Sequence, residues 1–163
     1  MDQLMLDQTD KKILTILQSD GRITNSRLAK EVGLSPPAVL ERVRRLESTG
    51  VIEKYVAILD RERAGFGIQT IVMVCLSHHQ ISSLQSVKER LTQMHEVLEC
   101  HQLTGEVDFL LKVAVKDMNS YTDFVNNKLS GIPGIQNVKT SFILDTLKNN
   151  TALKLSETEE SNS

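Results

Sequence analysis

Ser35-Pro36-Pro37-Ala38-Val39-Leu40-Glu41-Arg42-Val43-Arg44-Arg45-Leu46-Glu47 is the stretch from which the organisation of the chain can be read. Ser35 stands where a helix cap is expected, and two prolines are tolerated just after it because the first turn has no intrahelical N–H bonds to lose. At 3.6 residues per turn Val39, Val43 and Leu46 fall within a narrow arc, with Leu40 on its flank. Pro37, Ala38, Glu41, Arg44, Arg45 and Ser48 lie opposite, with Arg42 at the edge, and Gly50 stops the pattern. The stretch therefore predicts a short helix with an apolar seam and a basic outer side.

The residues before it supply a second short helix. Thr24 is a good cap, Leu28, Ala29 and Val32 form a stripe, and Gly33 fits a left-handed C-terminal turn. Earlier still, Asp7 is placed to cap a helix over about 8–18, with Asp10 near its positive end and Ile13, Leu14 and Leu17 on one face. Two short helices across a tight turn predict a helix-turn-helix that enters the major groove of duplex DNA. Val51-Ile52 and Tyr55–Leu59 then read as short strands, a small wing or a linking strand.

The chemistry fits that use. Small side chains in the first turn (Ser35, Pro36, Pro37, Ala38) let the helix end approach the groove floor, and its free N–H groups and the Ser35 hydroxyl suit a phosphate. Arg44 and Arg45, with Arg42 from the side, can pair with phosphates or donate a fork of bonds to guanine. Arg22, Arg27 and Lys30 are placed to grip the flanking backbone. Glu41 accepts from cytosine or holds Arg44 or Arg45 along the helix. The competing reading is a solvated basic helix face.

Length and composition set the frame. The chain of 163 residues fits one domain or two small ones, with ordinary apolar (40%) and charged (25%) content. No apolar run reaches the roughly 18 residues of a membrane span, and no basic stretch opens a signal peptide, so a cytoplasmic protein is expected. The net charge is −2, yet Arg22 to Arg45 holds six basic residues against Glu31 and Glu41, a local charge of +4. Ser156–Ser163, with Glu157, Glu159 and Glu160, reads as a solvated, disordered tail. Cys75 and Cys100 read as reduced core residues.

Beyond the charged, glycine-containing stretch 60–67, a candidate hinge, the pattern changes. Ile68–Leu76 is strand-like, 82–94 helical, Val97–Leu103 and Phe109–Val115 strand-like, 119–129 helical and Val138–Leu147 strand-like. The order βαββαβ predicts a ferredoxin-like α+β sandwich with helices on one face. Ile71-Val72-Met73-Val74-Cys75-Leu76 and Phe109–Val115 alternate little, so the other face needs a cover, either a second copy or another part of the chain. His78-His79 near Cys75 lacks a second pair at ligand spacing, and His95, Cys100 and His101 lack an orienting group. Neither metal site, cofactor nor enzyme activity is expected.

Arg22-Ile23-Thr24-Asn25, Leu28-Ala29, Val32-Gly33-Leu34-Ser35-Pro36, Arg42-Val43-Arg44-Arg45-Leu46-Glu47 and Gly50-Val51-Ile52 resemble the Lrp/AsnC feast/famine transcription regulators, closest to the leucine-responsive branch. Glu99-Cys100-His101, Thr104-Gly105-Glu106-Val107-Asp108-Phe109-Leu110-Leu111-Lys112 and Ile132-Pro133-Gly134-Ile135 extend the likeness over residues 5–150 or so. The resemblance implies a winged helix-turn-helix (1–60, with Asn25 among the DNA contacts), a linker (61–67), a RAM-type ferredoxin-like effector and oligomerisation domain (68–150) and the tail (151–163). It implies a homodimer joined through its sheets, commonly assembling to an octamer, and association with the nucleoid.

The resemblance also implies a small amino acid bound between dimers near Leu103–Asp108. There Thr104 and Gly105 would present N–H groups to its carboxylate, Glu106 or Asp108 would hold its ammonium, and Thr140 and Ser141 would lie nearby. The family often has an aromatic residue where this chain has Val107. The function implied is sequence-specific transcription regulation modulated by an amino acid; the alternative is a ligand-independent architectural protein that wraps DNA.

Overall fold

The computed structural model describes residues 5–77 and 84–155. The described residues fall into two compact units, one formed by those up to Ile58 together with Lys148–Leu155, the other by those within Leu59–Leu147.

The first unit holds α1 (Gln8–Ser19), α2 (Asn25–Val32) and α3 (Pro36–Ser48). Asp7 and Asp10 close a reciprocal box at the start of α1: Asp7 Oδ1 accepts the Asp10 amide at 2.7 Å and Asp10 Oδ2 accepts the Asp7 amide at 3.3 Å. Thr24 caps α2 through its hydroxyl. Gly33 ends α2 at φ 74°, a left-handed conformation that glycine adopts without steric cost, and the Leu34 amide returns to the Ala29 carbonyl. Ile13, Leu14, Leu28, Ala29, Val39, Val43 and Leu46 are the buried core.

Two expectations fail in this unit. Residues 51–59 form no strand. A strand needs a paired neighbour, and within one chain none lies beside this segment, so Val56, Ile58 and Leu59 stay about 70% exposed. Lys148–Leu155 groups with the helices rather than with the sheet or a free tail. The Gln18 amide group brackets the Leu153 main chain, donating to its carbonyl at 3.1 Å and accepting from its N–H at 2.6 Å. Leu155 packs against the helical core. The physical reasons are the apolar Leu155 side chain in a polar stretch and the Leu153 main chain; the Leu153 side chain itself is 73% exposed. The acidic residues 156–163 and His78-His79 lie outside the described residues.

The second unit contains β1 (Ile68–Leu76), α4 (Leu84–Thr92), β2 (Val97–Gln102), β3 (Phe109–Val115), α5 (Met118–Asp123) with a π-helical continuation over Phe124–Leu129, and β4 (Ile135–Phe142). The antiparallel sheet has the order β2-β3-β1-β4, the ferredoxin-like arrangement. Val72, Val74, Phe109, Leu111, Val113 and Val115 face Val87, Leu91, Phe124 and Leu129 of the helices in one buried cluster. β4 starts three residues earlier than expected because the Gly134 turn (φ 96°) delivers Ile135 straight into register with Leu76. It ends at Phe142, and Leu144 and Leu147 beyond it are exposed.

The other face of the sheet is less apolar than its two central strands suggest. Cross-strand neighbours share a face, and Ile71 stands between Lys112 and Ser141, Met73 between Leu110 and Lys139. Lys112 Nζ reaches Glu99 Oε1 at 2.8 Å, and Glu99 also meets His101. An apolar strip is thus flanked by charged and polar edges. Cys75 lies on this face, half-buried, so it is not a core residue; Cys100 packs on the helical side, and both are free.

Candidate nucleic-acid interface and ligand loop

α3 is seated by the insertion of Val39, Val43 and Leu46 into the helical core, which turns its basic side outward. Ser35 occupies the cap position, yet its hydroxyl makes no capping bond. Pro37 at the second helical position has no N–H to offer it, so Ala38 at the third is the one possible donor in that turn, and that bond is not made. Ser35, Pro36 and Pro37 are exposed and Ala38 half-buried. Arg22, Asn25, Arg27 and Lys30 are all exposed on or just before α2, with Arg27 at a loose 3.9 Å from Glu31.

The three arginines of α3 differ. Arg44 is exposed and forms no ion pair among the described residues. Arg42 Nη1 donates to Asp7 Oδ2 at 2.6 Å and to Asp10 Oδ1 at 2.8 Å, and Arg45 Nη2 donates to Asp10 Oδ2 at 2.5 Å. The expectation that Glu41 holds Arg45 is replaced by this arrangement; Glu41 is exposed and unpaired among the described residues. The Asp10 amide and the Arg42 guanidinium hold the Asp7 carboxyl below its ordinary range, and Asp7 and Asp10 raise Arg42 in turn. Asp7 and Asp10 were not among the expected site residues. The signal was present: Asp10 lies on the same stripe as Ile13, Leu14 and Leu17, where a carboxylate must find a cation or lose its charge.

The loop Leu103–Asp108 is exposed from Leu103 to Glu106. Gly105 has φ 109° and open space where a Cβ would stand, so its backbone is accessible. Asp108 Oδ2 accepts the Leu76 amide at 2.7 Å, and Cys75 Sγ donates to the Glu106 carbonyl at 3.3 Å. Both tie the loop to the end of β1. Within one chain Thr140 and Ser141 do not join it. Thr140 is paired with Val72 on the helical side and accepts the Tyr121 hydroxyl at 2.6 Å, whereas Ser141 is paired with Ile71 on the open face. Successive strand residues point to opposite faces, so the two cannot line one pocket of a single subunit.

Among the described residues no group of His, Cys, Asp and Glu is placed to hold a metal ion, and no helix is long and apolar enough to cross a membrane. A basic recognition helix on one unit and an accessible loop on a ferredoxin-like unit define a DNA-binding regulator with a ligand-binding domain. Comparison with known proteins gives the same class. Residues 6–53 match a winged helix-turn-helix DNA-binding domain and residues 69–153 the Lrp/AsnC ligand binding domain.

The transcriptional regulator AzlB of Bacillus subtilis is 37% identical over 154 residues, covering 94% of this chain and 98% of its own. The leucine-responsive regulatory protein of Escherichia coli is 36% identical over 148 residues, 91% of this chain and 90% of its own. A transcriptional regulator of Neisseria meningitidis solved with L-Met superposes with a TM-score of 0.87 at 37% identity, covering 92% of this chain and 97% of that one. The chain belongs to the Lrp/AsnC family of transcription regulators. These relatives are regulators rather than enzymes.

Proposed function

We propose that the protein is a sequence-specific regulator of transcription that binds DNA as a homodimer or higher assembly and responds to a small amino acid. The observation that carries the DNA half is the outward presentation of the Ser35–Ala38 turn and Arg44 by a helix whose opposite side is fully buried. A single copy offers few base-reading groups, so symmetric pairs reading two half-sites are the economical arrangement. The ligand half rests on the accessible Thr104-Gly105 backbone beside Glu106 and Asp108, which suits a zwitterion, and on the relative solved with L-Met. Coupling requires the amino acid to bind one assembly or DNA-bound state more tightly than the other.

The test is a duplex selected by the protein from a random pool, titrated in gel shifts at two salt concentrations with and without each of the twenty amino acids. Arg44→Ala should weaken binding by about tenfold and flatten the salt dependence by about one counterion. Binding that ignores sequence and all twenty amino acids would instead favour ligand-independent wrapping of DNA.

A further inference from the structure

We propose that Asp10, with Asp7 beside it, is a positioning residue for DNA recognition: its carboxylate sets the guanidinium groups of Arg42 and Arg45 in place to meet the duplex. The proposal rests on the DNA-binding reading of α3 and deepens it.

Asp10 is 1% exposed, yet Arg42 and Arg45, its partners, are 30% and 46% exposed. Each arginine is therefore held at one end and open at the other. The two oxygens of Asp10 are divided between them, Oδ1 to Arg42 and Oδ2 to Arg45, while Asp7 takes a second bond from Arg42. A guanidinium carries five N–H donors in a rigid fork, so anchoring one nitrogen leaves others for a phosphate or a guanine edge. Arg42 and Arg45 are three positions apart and share a side of α3, where they line one concave surface with Ala38 and Glu41. Ala38 belongs to the first turn that leads into the groove.

The charge balance shows what the arrangement gains and loses. Two carboxylates against two guanidinium groups leave the cluster neutral, so it attracts the DNA backbone less than bare arginines would. What it supplies is order: long side chains normally lose rotamer freedom when they bind, and here that freedom is already lost in the folded protein. Attraction without order favours any duplex; order favours the one whose groups match. The cluster should thus raise discrimination at some cost in general affinity.

This yields a test whose sign separates positioning from simple charge. The selected duplex and a scrambled duplex of equal length are titrated against the full-length protein and against Asp10→Asn. Removing a negative charge near DNA should tighten both duplexes equally if only charge matters. Positioning requires the ratio of selected to scrambled affinity to fall by about tenfold, with scrambled binding unchanged or tighter. Melting curves confirm folding. Asp7→Asn provides a second variant, because asparagine also caps a helix well and α1 keeps its start; it removes one of the two bonds that hold Arg42, leaves Arg45 untouched, and should lower the ratio by about threefold. A ratio unchanged in a folded Asp10→Asn, or in Asp7→Asn if the former does not fold, overturns the proposal. Failure of the wild type to prefer its selected duplex would instead remove the underlying DNA reading.

Discussion

The Asp108 carboxylate accepts the Leu76 amide at 2.7 Å across 32 positions of sequence, pinning the loop after β2 to the end of β1. The same residue's N–H donates to the Val74 carbonyl, and its carbonyl accepts from Leu103. A group expected only to meet a ligand thus also holds the loop in shape. Asp108→Ala should cost about 1–3 kcal/mol in denaturant unfolding because a half-buried amide loses its acceptor. Asp108→Asn keeps an acceptor and should cost less than about 1 kcal/mol while removing the charge that would face an ammonium. Calorimetry with the amino acid that most raises the melting point should show weaker binding to Asp108→Asn. Equal binding would move the ammonium site elsewhere.

Gln18→Ala removes both bonds to the Leu153 main chain. The site is exposed, so the expected loss is about 1 kcal/mol. Hydrogen exchange at the Leu153 amide should accelerate while β1 amides keep their protection. Unchanged exchange at Leu153 would mean that Leu155 alone secures the segment.

Ile71, Met73 and Leu110 form the apolar strip on the open face of the sheet. If two copies join there, Met73→Lys places an uncompensated charge in the joint and should convert the protein to monomers in sedimentation velocity. The helical side of the sheet is untouched, so each monomer should keep its secondary structure. Wild type and variant sedimenting alike would exclude this face as the joint.

Acid should unfold the protein through its paired carboxylates. The Asp10 amide and Arg42 hold Asp7 below its ordinary range, and Lys112 with His101 does the same for Glu99. A folded pKa below the unfolded one gives stability that is full above the unfolded value and is lost as pH falls through the folded one. The melting point should therefore stay level from neutrality to about pH 5 and drop below about pH 4. Each group is about half exposed, so each share is small. Asp7→Asn should shrink the acid drop; an identical drop would assign it to other carboxylates.

Much of the architecture could be read directly from residues with local consequences. Thr24, Gly33 and the Ser35-Pro36-Pro37 start mark helix ends through bonds within a few positions, and α2 and α3 begin and end where those residues indicate. β1 and β3 match because β1 is rich in β-branched residues and β3 is a short, nearly unbroken apolar run. Features decided at a distance were missed. Asp10 does partner the start of α1, as its position indicates, but its further bonds to α3, 32 and 35 positions away, have no local signature. Tyr55–Leu59 has strand composition without a strand beside it. Thr140 and Ser141, placed near the ligand loop by the resemblance, alternate along β4 onto opposite faces, so one subunit does not bring both to that loop. In each case the missing information was which segment lies next to which.

The return of Lys148–Leu155 to the helical unit has a consequence for dissecting the chain. Two stretches far apart in sequence, the residues up to Ile58 and those after Leu147, build that one unit. A fragment ending at Ile58 would carry all three helices yet lack the Leu153 main chain that Gln18 brackets and the Leu155 side chain that packs on their core. Such a fragment is an incomplete version of the unit, and properties measured on it understate those of the same helices in the full chain.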